Sequence, residues 1–364
     1  MAAGRSDDIR RLASRCILQG FDGMVPPPEL IREARAGALG GVVIFRRNVD
    51  TPAQVHDLLR ELVSQSPPDA VPLCAVDQEG GRVVRIREPL TVLPPAAALG
   101  ALDDPEFTRC AGHLVGLELR ALGFTVNFAP VLDVNTNPAS PVIGDRAFGP
   151  TAAQVVRHGL AFARGLRAGG VFPCAKHFPG HGDAAVDSHL GLPIVSHDEG
   201  RLREVELEPF AAWARTALGP VMSAHVVYPA LDPATPATAS RRILTGLLRE
   251  QLHFNGVIFT DDLEMGAIVG LGGAAAFAVD ILRAGADGLL VCRSLALRDE
   301  IIARLVDEAV RNGDFAMKLA RAAVRLAPLA HPPGPSVPFS FVGSDEHAQL
   351  AQSVRARCLP GGSP

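Results

Sequence analysis

Short apolar runs alternate with longer stretches of helical periodicity along this chain. The runs cover residues 17–21, 41–45, 73–77, 125–128, 172–177, 221–225, 256–261 and 288–292. Most show no polar alternation, as expected of strands buried on both faces of a parallel sheet. Between them, Thr51-Pro52 predicts a helix start, with Thr51 as N-cap and Leu58, Leu59, Leu62 and Val63 as the buried stripe. Thr151 opens a second helix, with Val155, Val156, Leu160, Phe162 and Leu166 on its apolar side, and residues 241–252 read as a third.

Eight such runs with helices between them predict an α/β fold, a single (β/α)8 TIM-type barrel; a doubly wound open sheet is the competitor. Polar residues at the C-terminal ends of the runs favour the barrel. They are Arg46-Arg47-Asn48, Asp77-Gln78-Glu79, Asn127, Lys176-His177, Ser223 with His225, Asp261-Asp262, and Arg293. In a barrel they converge on the face where active sites lie. The barrel is expected over residues 1–327. Residues 328–338 read as a Pro-rich linker leaving it, and 345–357 as one more helix, so that 328–364 form a short C-terminal helical extension.

Composition narrows the possibilities. Hydrophobic residues make up 48% of the 364, which suits a globular protein with a large core. A net charge of -4 offers no general attraction to nucleic acid or anionic lipid, and no apolar run reaches membrane-spanning length. The six cysteines are scattered without a C-x-x-C pair, and the N-terminus lacks a signal-type apolar core, so a cytoplasmic protein with free thiols is expected. Trp213 and Tyr228 are the single Trp and Tyr. That scarcity points to a small ligand, because long polysaccharide clefts stack sugars on several such rings.

The densest chemistry lies in Lys176-His177-Phe178-Pro179-Gly180-His181-Gly182-Asp183, followed by Asp187-Ser188-His189. As a metal site, His177, His181, Asp183 and His189 would ligate zinc or iron, although Phe-Pro-Gly keeps the first two histidines off a common helix face. As turn residues they would bond the backbone around Gly180 and Gly182. As catalysts, Asp187 and His189 would form an acid/base dyad, the carboxylate fixing the imidazole tautomer. The glycines also read as hinges of a loop that closes over ligand. The run ending in Asp261-Asp262 places two acids at a strand end, one able to enter a site and the other to cap a helix beginning at Leu263-Glu264-Met265. Asp77 to Arg85 reads as a ligand clamp or a salt-bridged loop, and Gly144-Asp145-Arg146 as a comparable turn.

Together these segments resemble glycoside hydrolase family 3, and within it the bacterial β-N-acetylhexosaminidases of the cell-wall-recycling (NagZ) type. The matching pieces, in the family's order, are Val76 to Arg82, Asn127 to Val134, Gly144 to Gly149, Lys176 to Asp183 with Asp187-Ser188-His189, and Phe259 to Met265. The resemblance implies a barrel that cleaves terminal β-linked N-acetylglucosamine with retention, from muropeptides in which this sugar is joined to 1,6-anhydro-N-acetylmuramic acid. It implies Asp261 as nucleophile, His189 as general acid/base and Asp187 as its dyad partner, with Asp77, Arg85, Arg146, Lys176 and His177 binding the sugar. It implies no metal and no cofactor. Two readings on the same residues stay open: phosphorolysis, because a neutral imidazole repels an anionic acceptor less than a carboxylate would, and a broader β-glucosidase. A metal-dependent barrel hydrolase and a sugar sensor without turnover are the more distant ones. The residues after 345 resemble the first helix of an extra domain that some family members carry.

Overall fold

The computed structural model describes residues 2–137, 142–183, 191–270, 272–334 and 336–358. Its strands are β1 (Ile17–Gln19), β2 (Gly41–Ile44), β3 (Leu73–Val76), β4 (Val126–Asn127), β5 (Phe172–Pro173), β6 (Ala175–Phe178), β7 (Val221–Ser223), β8 (Ile258–Asp262) and β9 (Gly288–Val291). All pairings between them are parallel, in the order β5-β4-β3-β2-β1-β9-β8-β7-β6.

The two ends of that order are one run of chain. β5 and β6 are separated only by Cys174, whose N–H is shared between the carbonyls of Asn127 (3.0 Å) and Ala129 (2.9 Å). Beyond it, Lys176 N–H donates to Pro130 O and Leu132 N–H to Lys176 O. The sheet therefore closes, and the open doubly wound alternative falls away. The run expected at 172–177 is the fifth barrel strand. It divides because Pro173 lacks an N–H and Cys174 turns its own toward the β4 side.

The helices begin where capping chemistry predicts. Thr51 and Thr151 each accept from the N–H three residues on, opening helices Pro52–Gln65 and Ala152–Ala168. Val55, Leu58, Leu59 and Leu62 bury the first against the sheet, while Val63 stays half-buried. The helix expected at 241–252 spans Arg242–Gln251 in a wider winding, with Leu252 N–H reaching back five residues to Leu247 O. None of the helices among the described residues is long and apolar enough to cross a membrane.

The expected linker does not lead the chain away. Leu329, Ala330 and Phe341 are buried, Phe339 stacks on His56 at 4.8 Å, and helix Asp345–Cys358 sets Ala351 and Val354 into the main core. Its apolar positions find a face on helix Pro105–Leu122, and an Arg357–Asp104 ion pair of 2.6 Å closes the far end.

At the N-terminal end of the barrel, opposite the polar strand ends, Asp287 is buried between Arg249 (2.7 Å) and Arg325 (2.9 Å) and also accepts from Ile258 N–H (2.9 Å). Removing one partner of such a cluster leaves buried charge uncompensated. Asp287→Ala should therefore lower unfolding stability by about 3–5 kcal/mol, seen in urea melts, while kcat/KM of the folded protein is unchanged because the site lies at the other end.

Candidate active site

The pocket at the C-terminal strand ends has a volume of about 210 Å³. Phe45, Phe128, Met222 and Met265 contribute its apolar walls together with smaller aliphatic side chains, and the polar part of its lining consists of acids, histidines, arginines and a lysine. Trp213 and Tyr228 are fully buried and bond backbone carbonyls, Gly219 O and Gly180 O, so neither is a sugar platform.

Asp77 follows β3 and meets Lys176 of β6, whose Nζ lies 2.7 Å from Asp77 Oδ1 and 2.6 Å from Glu79 Oε1. Arg146 grips Glu79 with two parallel bonds of 2.8 and 2.9 Å, and Arg85 lies 3.3 Å from Asp77. Burial by itself would raise the Asp77 carboxyl, but Lys176 and Arg85 hold it below its ordinary value. Burial would likewise lower Lys176, and Asp77 and Glu79 more than reverse that. Gln78 aims this loop. Its Oε1 accepts from the N–H groups of Arg85 and Ile86, and its Nε2 donates to Ile86 O. Glu79, not singled out in the sequence, is the acid on which Arg146 and Lys176 converge.

His177 is the next member. Its Nδ1 donates to Asp133 Oδ2 (2.7 Å), while Asp133 Oδ1 accepts from the N–H groups of His177 (3.1 Å) and His181 (2.7 Å). Asp133 is wholly buried; desolvation opposes its charge, yet His177 and His181 keep its carboxyl low. The sequence held a signal for it: a lone carboxylate inside the apolar run 128–134 must be paired. Lys176 and His177 both line the pocket although adjacent on one strand, at the register irregularity between Lys176 and Phe178.

The two acids ending β8 differ in environment. Asp261 lines the pocket. Burial opposes its ionisation, but His177, His225, the Asp262 N–H (2.8 Å) and Lys176 together hold its carboxyl below the usual range. Asp262 turns its Oδ1 to the N–H groups of Glu264 (3.0 Å) and Cys292 (3.2 Å), and burial pushes it up to about 6. It does not cap a helix. The next helix is Gly266–Val269, and Asp262 instead ties the turn after β8 to the end of β9.

Asp187 and His189 lie outside the described residues. The chain on either side of them is tied together: Asp183 accepts from Thr136 Oγ1 (3.2 Å) and pairs with His197 Nε2. The glycines read as hinges have a packing reason. A Cβ on Gly182 would stand 1.8 Å from Val134 O, and Gly180 adopts φ +131° while its carbonyl receives the Tyr228 hydroxyl. His177, His181 and Asp183 do not gather as a metal site, and none of the described residues form such a group.

The sequence model of the Glycosyl hydrolase family 3 N terminal domain matches residues 28–327. A beta-hexosaminidase of Thiobacillus denitrificans is 42% identical over 274 residues, covering 73% of this chain and 75% of that protein. A glycoside hydrolase family 3 beta-N-acetylglucosaminidase from Paenibacillus superposes with a TM-score of 0.88 at 37% identity, over 96% of this chain and 68% of that one. NagZ from Neisseria gonorrhoeae, solved with N-trifluoroacetyl-D-glucosamine, superposes with a TM-score of 0.81 at 31% identity, over 95% of this chain and 98% of that one.

Glu79→Gln takes away the buried anion shared by buried Lys176 and half-buried Arg146, and should destabilise the fold at neutral pH by about 3–5 kcal/mol. The native Glu79 carboxyl lies far below its ordinary 4.5, because Arg146 and Lys176 outweigh burial. Its stabilisation is complete above that ordinary value and fades as pH falls toward the native one. Thermal melts should therefore show the Tm gap between wild type and variant narrowing below about pH 4.5. A gap constant with pH would mean the charge is not what stabilises.

Proposed function

The chain belongs to glycosyl hydrolase family 3 as a β-hexosaminidase, and we propose that it removes terminal β-linked N-acetylglucosamine with retention, through a glycosyl ester on Asp261. The observation that carries this is Asp261 itself: a carboxylate kept ionised in a pocket otherwise crowded with paired charges, with one oxygen engaged by its neighbour's N–H. Asp77 offers acceptors, and Arg85, Arg146 and Lys176 offer donors, for the hydroxyl and amide groups of one sugar ring. A double-displacement route needs a nucleophile plus an acid/base. Asp261 attacks the anomeric carbon as the glycosidic C–O bond breaks, and the leaving oxygen takes its proton from His189. Neutral His189 then accepts a proton from water as that water attacks the anomeric carbon and the Asp261 carboxylate departs. Asp187 holds the His189 tautomer and favours its charged form. Both residues take these roles from the sequence resemblance.

His177 contacts the sugar through Nε2, and Asp133 keeps its ring turned by binding Nδ1. The muropeptide substrate and the role in peptidoglycan recycling follow from the same resemblance. Among the described cysteine side chains all five are free and four are buried, which supports a cytoplasmic setting. Phosphorolysis is the second reading. Three cations around two acids in the Asp77–Glu79 cluster leave surplus positive charge near an incoming anion.

The adjacent acids separate the roles. Asp261→Asn should reduce kcat by more than about 10⁴-fold with the fold intact. Asp262→Asn keeps the oxygen that Glu264 and Cys292 require and should stay within roughly tenfold of wild type. The reverse order would reassign the nucleophile. Product analysis by NMR on an aryl β-N-acetylglucosaminide should show the β-anomer of free sugar first, with or without phosphate. Sugar 1-phosphate appearing with phosphate would establish the second reading instead, and a first-formed α-anomer would exclude retention.

A further inference from the structure

The loop that follows β3 supplies Asp77, Glu79 and Arg85, yet it is fastened from the far side by residues that never reach the pocket. Its outgoing limb returns to the site through Leu93 O, which accepts from Gly81 N–H at 2.9 Å, two residues from Glu79. Two residues before Leu93, Thr91 N–H donates to Glu118 Oε1 at 2.8 Å. Glu118 is on helix Pro105–Leu122 and is 1% exposed. The same oxygen accepts from Nε2 of His347, also at 2.8 Å, and His347 is buried in the C-terminal helix. Gly343 N–H donates to His347 Nδ1 at 3.0 Å, so Nε2 is the nitrogen that carries the hydrogen toward Glu118. A carboxylate so deeply buried requires these donors. The connection therefore runs unbroken from His347 through Glu118, Thr91 and Leu93 to Gly81 and Glu79.

We infer that Glu118 and His347 are positioning residues for sugar binding, and that the C-terminal segment, which lies beyond the family match at 28–327, works as a strap holding the Asp77–Arg85 loop in its binding geometry. Val354 and Arg355 of the same helix line a cavity with Thr91 to Pro94, so the strap meets the loop at more than one bond. The barrel-and-extension division at residue 327 is part of this reading. The inference rests on the assignment of Asp77, Glu79 and Arg85 to the sugar site.

The two ring nitrogens of His347 can be tested separately. An asparagine side chain ends near the position of Nδ1, so His347→Asn keeps the Gly343 contact and loses Glu118. Glutamine reaches as far as Nε2, so His347→Gln keeps Glu118. On an aryl β-N-acetylglucosaminide, His347→Asn should raise KM by roughly three- to thirtyfold with little change in kcat, and His347→Gln should stay near wild type. Amide exchange over residues 81–93 should quicken in the first variant and not in the second. Glu118→Gln weakens the same link from its other side and carries the same expectation as His347→Asn if that variant does not fold. A lowered Tm with unchanged KM, or equal KM changes in both His347 variants, overturns the inference. Arg85→Ala is the control: raised KM there with none in His347→Asn rejects the strap alone, whereas unchanged KM in Arg85→Ala rejects the sugar-site assignment beneath it.

Discussion

The ion cluster of Asp77, Glu79, Arg85, Arg146 and Lys176, with Glu79 and Lys176 buried at its centre, is the constraint on which the rest of the site depends. None of these groups can be held out of water in charged form unless its partner is held there too. Each partner comes from a different part of the chain: the end of β3, the turn at Gly144–Arg146, and β6. The barrel supplies what the cluster needs, a closed ring in which strands far apart in sequence end on one rim. In return the cluster pins the loop after β3 and the Arg146 turn against β6, so that a sugar-sized space is already lined with donors and acceptors before any ligand arrives.

Around that centre a second tier of buried polar groups sets orientation. Asp133 holds one histidine ring and two backbone N–H groups at once, which fixes the direction of the chain from His177 through His181. Asp262 performs the corresponding task on the opposite side, tying the turn after β8 to the end of β9 and leaving Asp261 facing the pocket. The contrast between these neighbours shows how surroundings set a carboxylate's charge: one acid is held ionised in the pocket and the next is given over to tying backbone. Asp261 has histidines and a lysine to favour its charge, while Asp262 has only backbone dipoles and is desolvated.

The C-terminal segment extends the same logic outward. Its Pro-rich start has the composition of a linker, yet its aromatic and aliphatic residues find complementary apolar positions on helices Pro52–Gln65 and Pro105–Leu122. Once docked, it adds the donor that Glu118 needs. Stability and site geometry are thus coupled through a carboxylate well removed from the chemistry.

Much of this was legible in the sequence because it rests on local rules. Unbroken apolar runs mark strands covered on both faces, threonines before a first helical turn mark starts, and carboxylates, histidines and arginines at run ends mark the functional rim. The count of runs and the family motifs then specify a barrel of the β-hexosaminidase family. What only the tertiary structure decided are pairings across distance: Lys176 with Asp77 over 99 residues, Arg146 with Glu79 over 67, and His177 with Asp133 over 44. Glu79 could be placed on the rim and Asp133 marked as a carboxylate in need of a partner, but for that reason neither could be given its partners. A carboxylate's role is set by the charges that surround it, and no periodicity along the chain encodes which ones those are. The return of the tail to the barrel belongs to the same class, since its composition is read locally while the face that receives it exists only after the fold has formed.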